Sequence, residues 1–184
     1  FQTSHWSELT KANKEERQIG KSSVHSNNYE VGLAKFALII GLPPKYAKIV
    51  QDIYHSQFPE IRGNYHKWIE DQLRRDRTIW TALGRRRIFY DKWSDELLRT
   101  GYAYYPQSTI GDLLNDTLEE CRNEGFNVLL QAHDGFGITA PDDEPTIQYV
   151  CRTVKKIGEK PLIIRGEECI IPMDFKIGPN WLDL

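Results

Sequence analysis

Long apolar runs are missing from this sequence: no stretch approaches the roughly eighteen residues that would cross a bilayer as a helix, so no membrane segment is expected. The opening FQTSHWSELTK has neither the basic flank nor the apolar run of a signal peptide, and it has no initiating methionine, which fits a processed or excised piece. Cysteine is scarce. Cys121, Cys151 and Cys169 are odd in number, widely spaced and never in a C-x-x-C pair, so neither a disulfide framework nor a thiolate zinc site is expected. A reducing compartment is the simpler reading. The clustered carboxylates that a nuclease needs are also lacking, and no internal repeat or low-complexity tract is visible.

What is present suits a folded protein. The 184 residues are 40% hydrophobic and 27% charged. At this length roughly two thirds of the surface can be buried without metals or disulfides, in one substantial domain or two small ones. The formal net charge of -2 hides a polarity. Residues 1–92 carry sixteen Lys plus Arg against ten Asp plus Glu, whereas residues 93–184 carry eight against sixteen. A basic half beside an acidic half suits a protein that holds a polyanion with one part and divalent cations with the other. It equally suits two halves that attract each other.

Along the chain, Asn13-Lys14-Glu15-Glu16 has capping-box spacing and predicts a helix from Asn13 toward Glu30. LAKFALIIGL reads as a short apolar helix closed by Gly41, and PPKYAKIVQDIYHSQF as a helix entered through its prolines. A third long helix is expected from about Glu60 to Ala82, ended by Leu83-Gly84, followed by a β-favouring Ile88-Phe89-Tyr90 that could form one arm of a hairpin. Ser108–Arg122 is amphipathic. The run NVLLQAH, expected to be buried, leads through His133-Asp134 into a returning arm at Phe136-Gly137-Ile138-Thr139. Pro141–Ile157 reads as a further helix and CIIPMDFKIG as a late strand region with Pro172 at an edge or bulge.

Two features carry chemistry. Arg17, Lys21, His25 and Tyr29 recur every four residues, so they share one broad helix face. An arginine can fork phosphate oxygens, a lysine can neutralise another, and rings further along can cover a sugar or base. A solvated face offset by Glu16 and Glu30 is the alternative. Gly20 inside this helix costs roughly 1 kcal/mol relative to alanine and hints at a smooth surface or close approach. The second feature is Asp134, at a hairpin tip beside Gly135 and Gly137, where a divalent ion could reach its carboxylate together with a phosphate oxygen. A turn with a capping aspartate is the alternative there. One carboxylate does not make a two-metal site, and the nearest acidic cluster, Asp142-Asp143-Glu144, reads as a helix N-terminus.

Together, R-x-x-x-K-x-x-x-H-x-x-x-Y at Arg17–Tyr29 and QAHDG at Gln131–Gly135 resemble the finger-helix and palm motifs of the family A DNA polymerases, the bacterial repair polymerases and small phage replicases. Three further matches fall in order: LGRRRIF at 83–89, PQSTIGD at 106–112 and the ending KIGPNWLDL. The resemblance implies an α+β fold, with a helical fingers lobe over residues 1–82 attached to part of an antiparallel-sheet palm backed by helices over residues 83–184. It implies template-directed transfer of deoxynucleotides from their triphosphates to a primer 3'-hydroxyl, with two Mg2+ ions. Arg17 and Lys21 match the residues that hold the triphosphate, and Lys21 is also placed to protonate departing pyrophosphate. His25 stands where the family has phenylalanine or tyrosine near the sugar, and Tyr29 matches the ring beside the templating pair. Gln107 and His133, with Arg99 more weakly, match contacts to primer-template DNA, and Asp134 matches one of two metal-binding aspartates. The basic patch Arg85-Arg86-Arg87 has no residue-level role from the match.

Three departures stand out: Glu30 replaces the usual glycine after the tyrosine, Gly135 replaces the usual acidic residue after the metal ligand, and Pro106-Gln107 is one residue tighter. The other metal-binding aspartate, on the first palm strand, and the thumb are expected upstream, in cis or on a second chain. A cytoplasmic location, in a bacterium or phage-infected host, is implied. The competing reading is a polymerase-derived nucleic-acid-binding or structural module without catalysis.

Overall fold

The computed structural model describes residues 14–180, with the side chain of Lys14 left aside. Asn13 and the WLDL ending therefore lie outside the described residues. The chain divides into two units, one made of Phe1–Ile79 and Ile88–Tyr104, the other of Trp80–Arg87 and Tyr105–Leu184.

The first unit is helical. It holds α1 (Lys14–Asn28), α2 (Leu33–Ile40), α3 (Pro44–Gln57), a π-helical turn at Ile61–His66 and α4 (Lys67–Asp76). Gly41 closes α2 in the left-handed region at φ 67°, its N–H reaching back to the carbonyls of Ala37 and Leu38, and Pro44 opens α3, where a missing N–H costs nothing. Phe36, Ala37, Ile40 and Ala47 form a buried cluster, and Ile19 of α1 packs against it with Val31, Leu33, Leu42 and Val50. Thus the sparse aliphatic content of α1 still docks it, through one residue. The rest of its inward face is polar, with Ser23, Ser26 and Asn27 buried.

The third helix ends earlier than its sequence suggests. Arg77 takes φ 59°, and the Asp76 carboxylate accepts the N–H of Thr78, so the chain turns out of the helix into β1 (Thr78–Trp80), paired with β2 (Arg86–Ile88). Gly84, at φ 86°, serves the turn between these strands rather than a helix end. The next helix, α5 (Asp95–Asn123), begins well before Ser108 and runs through Pro106. Proline removes the N–H that would bond the Tyr102 carbonyl one turn back, and Tyr65 Oη donates to that carbonyl instead at 2.6 Å.

In the second unit, β3 (Asn127–Ala132) and β4 (Gly135–Thr139) form an antiparallel hairpin with a register shift between Val128 and Leu130. Its inner side chains Val128, Phe136 and Ile138 pack on Cys121 of α5 and on Val154 and Ile157 of α6 (Glu144–Gly158). Burial pushes the Cys121 thiol pKa up. The hairpin itself is less buried than the run NVLLQAH suggests, since Leu129 and Leu130 are exposed. Only one face of a two-stranded sheet is covered here, so the apolar residues of β3 divide between a packed and an open side. Asp143 caps α6 by accepting the Thr146 N–H at 3.0 Å, which starts that helix after Pro141 rather than at it. The last hairpin, β5 (Leu162–Ile164) with β6 (Glu167–Cys169), stops where the late strand was expected to begin. Pro172 offers no donor to extend a ladder, and the Met173 N–H goes to the Glu159 carboxylate at 2.9 Å. The result is an α+β chain with a helical lobe and small antiparallel sheets, the β3–β4 pair backed by helices.

Candidate functional site

Helix α1 presents its row of donors as the spacing requires. Arg17, Lys21 and His25 are exposed and Tyr29 is half-buried, while Ile19, Ser23, Ser26 and Asn27 face inward. The His25 and Tyr29 rings meet edge to face, with centroids 4.7 Å apart. Among the described residues, nothing beyond the helix's own backbone comes within 4 Å of a Cβ built at Gly20.

The end of α1 is more elaborate than the motif suggests. The Glu30 N–H bonds to the Asn27 carbonyl at 3.3 Å and the Val31 N–H to the Ser26 carbonyl at 2.9 Å, the paired pattern that closes a helix through one left-handed residue. That residue is Glu30, at φ 54°. Its carboxylate accepts both Nε and Nη2 of Arg62, at 3.1 and 2.6 Å, and its carbonyl accepts Nε of Arg99 at 3.0 Å. His66, buried and stacked on Tyr102 at 3.9 Å, lies with Nδ1 3.4 Å from the Glu30 carboxylate and Nε2 2.7 Å from the Asn28 carbonyl. From α3, Tyr54 Oη donates to the Asn28 side chain at 2.5 Å and Gln51 donates to the Val31 carbonyl at 3.1 Å. Sequence reading missed Arg62 and His66 altogether; their spacing of four matched no template until the π-helical turn aimed both at Glu30.

In the second unit, His133 and Asp134 occupy the tip of the β3–β4 hairpin, both exposed, with His133 at φ 54°. Gln131, next to the tip, donates to Asn115 of α5 at 3.4 Å, and Gln107 is exposed on the same helix. Asp134 has no carboxylate cluster around it: among the described residues no group of three His, Cys, Asp or Glu side chains is arranged to hold a metal. The described residues therefore do not by themselves fit a pair of divalent ions, Asp134 being a single carboxylate.

Two of the matched motifs also meet within this unit. Arg85 of LGRRRIF forks onto Asp112 of PQSTIGD, with Nε at 2.6 Å and Nη2 at 2.5 Å from Oδ1, and Thr81 bridges them by donating to the other carboxylate oxygen and accepting the Arg85 N–H. Arg86 lies over the Trp80 ring at 5.6 Å. The basic patch thus divides its work: Arg85 fastens a hairpin turn to a helix, and Arg86 covers an indole.

No protein-family model matches the chain. Over 188 residues it is 25% identical to DNA polymerase I of Chloroflexus aurantiacus, an alignment that takes in 95% of this chain and 19% of that protein. Among solved structures, its fold is similar to the polymerase domain of Pol1 from M. smegmatis, determined in complex with DNA primer-template and dNTP, with TM-score 0.69 and 22% identity over 84% of this chain and 29% of that one. The chain thus spans about a fifth of the curated relative it matches. Sequence and fold together support its likeness to part of a family A DNA polymerase.

Proposed function

We propose that this chain forms the nucleotide-holding fingers and the later part of the palm of a template-directed DNA polymerase, adding deoxynucleotides to a primer 3'-hydroxyl. The observation that carries this reading is α1. Arg17, Lys21 and His25 are exposed along it and Tyr29, half-buried, follows its last residue, while the helix is held by the packing of Ile19 and by the hydrogen bonds of Asn28 to Tyr54 and His66. Arg17 and Lys21 neutralise charge on the triphosphate. The Lys21 ammonium hands a proton to the departing pyrophosphate oxygen. His25 packs near the sugar, and Tyr29 lies beside the templating pair.

Gln107 and His133 contact the primer-template, together with Arg99, whose Nε donates to the Glu30 carbonyl and whose Nη2 lies 3.8 Å from the Asp95 carboxylate. Asp134 contributes one carboxylate to a divalent-ion site, Mg2+ being the ion the resemblance implies. The remaining ligands, the first palm strand and the thumb come from outside these residues, on the same polypeptide or a second one.

Primer extension by the complete protein tests this. Asp134→Ala is expected to drop synthesis to background with DNA binding retained, and undiminished synthesis would remove Asp134 from the active site. A module without catalysis is the second reading, favoured by Asp134 having no acidic cluster around it among the described residues. It predicts primer-template binding with no extension even by the unaltered protein.

A further inference from the structure

Left-handed backbone costs an ordinary L-residue roughly 1–2 kcal/mol, because Cβ crowds the following carbonyl oxygen, and glycine escapes that cost. The resemblance places a glycine immediately after the tyrosine of the finger helix, yet here Glu30 takes φ 54°. A glutamate at such a site needs external support, and the structure supplies it from three directions. Arg62 forks the carboxylate, Arg99 holds the carbonyl, and His66 lies against both the carboxylate and the preceding turn. These partners come from the π-helical turn and from α5, so the final turn of α1 is tied to two other elements of its own unit.

We infer that Glu30 is a positioning residue: clamped by Arg62, it fixes the last turn of α1 and thereby holds the Tyr29 ring where an incoming nucleotide and its template partner are received. The inference rests on the reading of α1 as a nucleotide-holding helix. Tyr29 is the residue between the last helical position, Asn28, and the left-handed Glu30. Its side-chain direction is therefore set by the very backbone that the clamp restrains. A glycine in the same place permits the left-handed turn but does not enforce it. Glu30 with Arg62 does enforce it, and a tyrosine held in one orientation loses less freedom when nucleotide binds.

The two residues must then act as one device, which a double-variant cycle detects. In the complete polymerase, Arg62→Gln leaves a left-handed glutamate without its fork. It is expected to raise the KM for the incoming deoxynucleotide by roughly two- to fivefold, the range of a half-exposed ion pair, with kcat changed less. Arg62→Lys, which cannot fork the carboxylate, is expected to behave similarly. In a Glu30→Gly background the Arg62→Gln change has nothing left to disrupt, and its effect on KM disappears. Hydrogen exchange at the Val31 amide provides the structural readout and is expected to quicken in Arg62→Gln.

Faster exchange with an unchanged nucleotide KM would reduce the clamp to a structural support and overturn the inference. Equal effects of Arg62→Gln in both backgrounds would overturn it too. If the unaltered complete protein adds no nucleotide at all, the functional reading falls and takes this inference with it, an outcome distinct from either of the others.

Discussion

At His25 and Gly135 the side chain differs from the one the resemblance leads one to expect, and the surroundings say what each difference permits. His25 is exposed on α1, its ring edge-on to Tyr29. An imidazole brings hydrogen-bonding nitrogens to a place where the family has a phenyl or phenol ring. One hydrogen bond gained or lost at the sugar is worth about 1 kcal/mol, or about fivefold in selectivity. We therefore expect His25→Phe to shift the ratio of dideoxy to deoxy nucleotide incorporation by about that factor, measured by competition on one primer-template. Identical ratios would take His25 away from the sugar. Gly135 is the reverse case. Its φ is not in the left-handed region, and among the described residues a Cβ built there meets only the Ala132 carbonyl oxygen at 3.8 Å, so its backbone does not call for glycine. The acidic neighbour of Asp134 is missing without a steric reason, whereas the glycine missing at Glu30 is replaced by a clamp.

Among the elements, α5 shows how packing overrides local signals. Gly101 sits in that helix with Ile69 Cγ2 and Leu73 Cδ1 each 3.0 Å, and Ile79 Cδ1 3.4 Å, from where a Cβ would stand. Alanine would improve helix propensity by roughly 1 kcal/mol, but Ile69, Leu73 and Ile79 are fully buried and have little room to yield. Overpacking of this kind costs about 1–3 kcal/mol, so we expect Gly101→Ala to destabilise the first unit by about 1 kcal/mol, read as a lower urea midpoint. A raised midpoint would mean the three side chains can move aside.

The same packing explains what was legible beforehand. Elements with a local signature were readable: α2 from its apolar run and closing glycine, α3 from its prolines, the β3–β4 hairpin from its turn. The full extent of α5 was not, because Pro106 reads as a breaker and only Tyr65, distant in sequence, repairs the bond it removes. The sequence extends the third helix to Ala82 because nothing local marks Arg77 as left-handed. The α1 donor row and the Asp134 tip were visible through periodicity and turn chemistry. The Glu30 clamp was invisible because its partners lie 32, 36 and 69 positions away, in a π-helical turn and a helix that no sequence period announces.

On the scale of the whole molecule, the burial of His55 and Tyr102 is expected to bracket the pH range in which the first unit is most stable. His55 of α3 is half-buried, and neither ring nitrogen has a hydrogen-bond partner among the described residues. Burial, followed by the nearby Arg62 guanidinium, lowers its pKa below the usual 6.5, against opposing pulls from Glu30 and Asp52. A base whose folded pKa is depressed contributes stability above its unfolded value and loses it as pH falls, because the unfolded chain takes up the proton first. Tyr102 closes the range from the other side. Burial, then its hydrogen bond to the Glu70 carboxylate at 2.9 Å, raises its phenol well above 10.0. A folded phenol that keeps its proton after the unfolded one has lost it costs stability as pH climbs past 10. Urea midpoints across the pH scale should therefore fall below about pH 6.5, before the exposed carboxylates titrate, and again above about pH 10. His55→Phe, which removes the two unpaired nitrogens, is expected to flatten the acid limb between about pH 6.5 and 5 while leaving the alkaline limb in place. Tyr102→Phe should lessen the alkaline limb, part of which remains because burial also raises the Tyr54 phenol, and losing the bond to Glu70 lowers the midpoint throughout. An acid limb unchanged by His55→Phe would show that this imidazole does not set the lower boundary, and that the burial of its ring carries no linked proton.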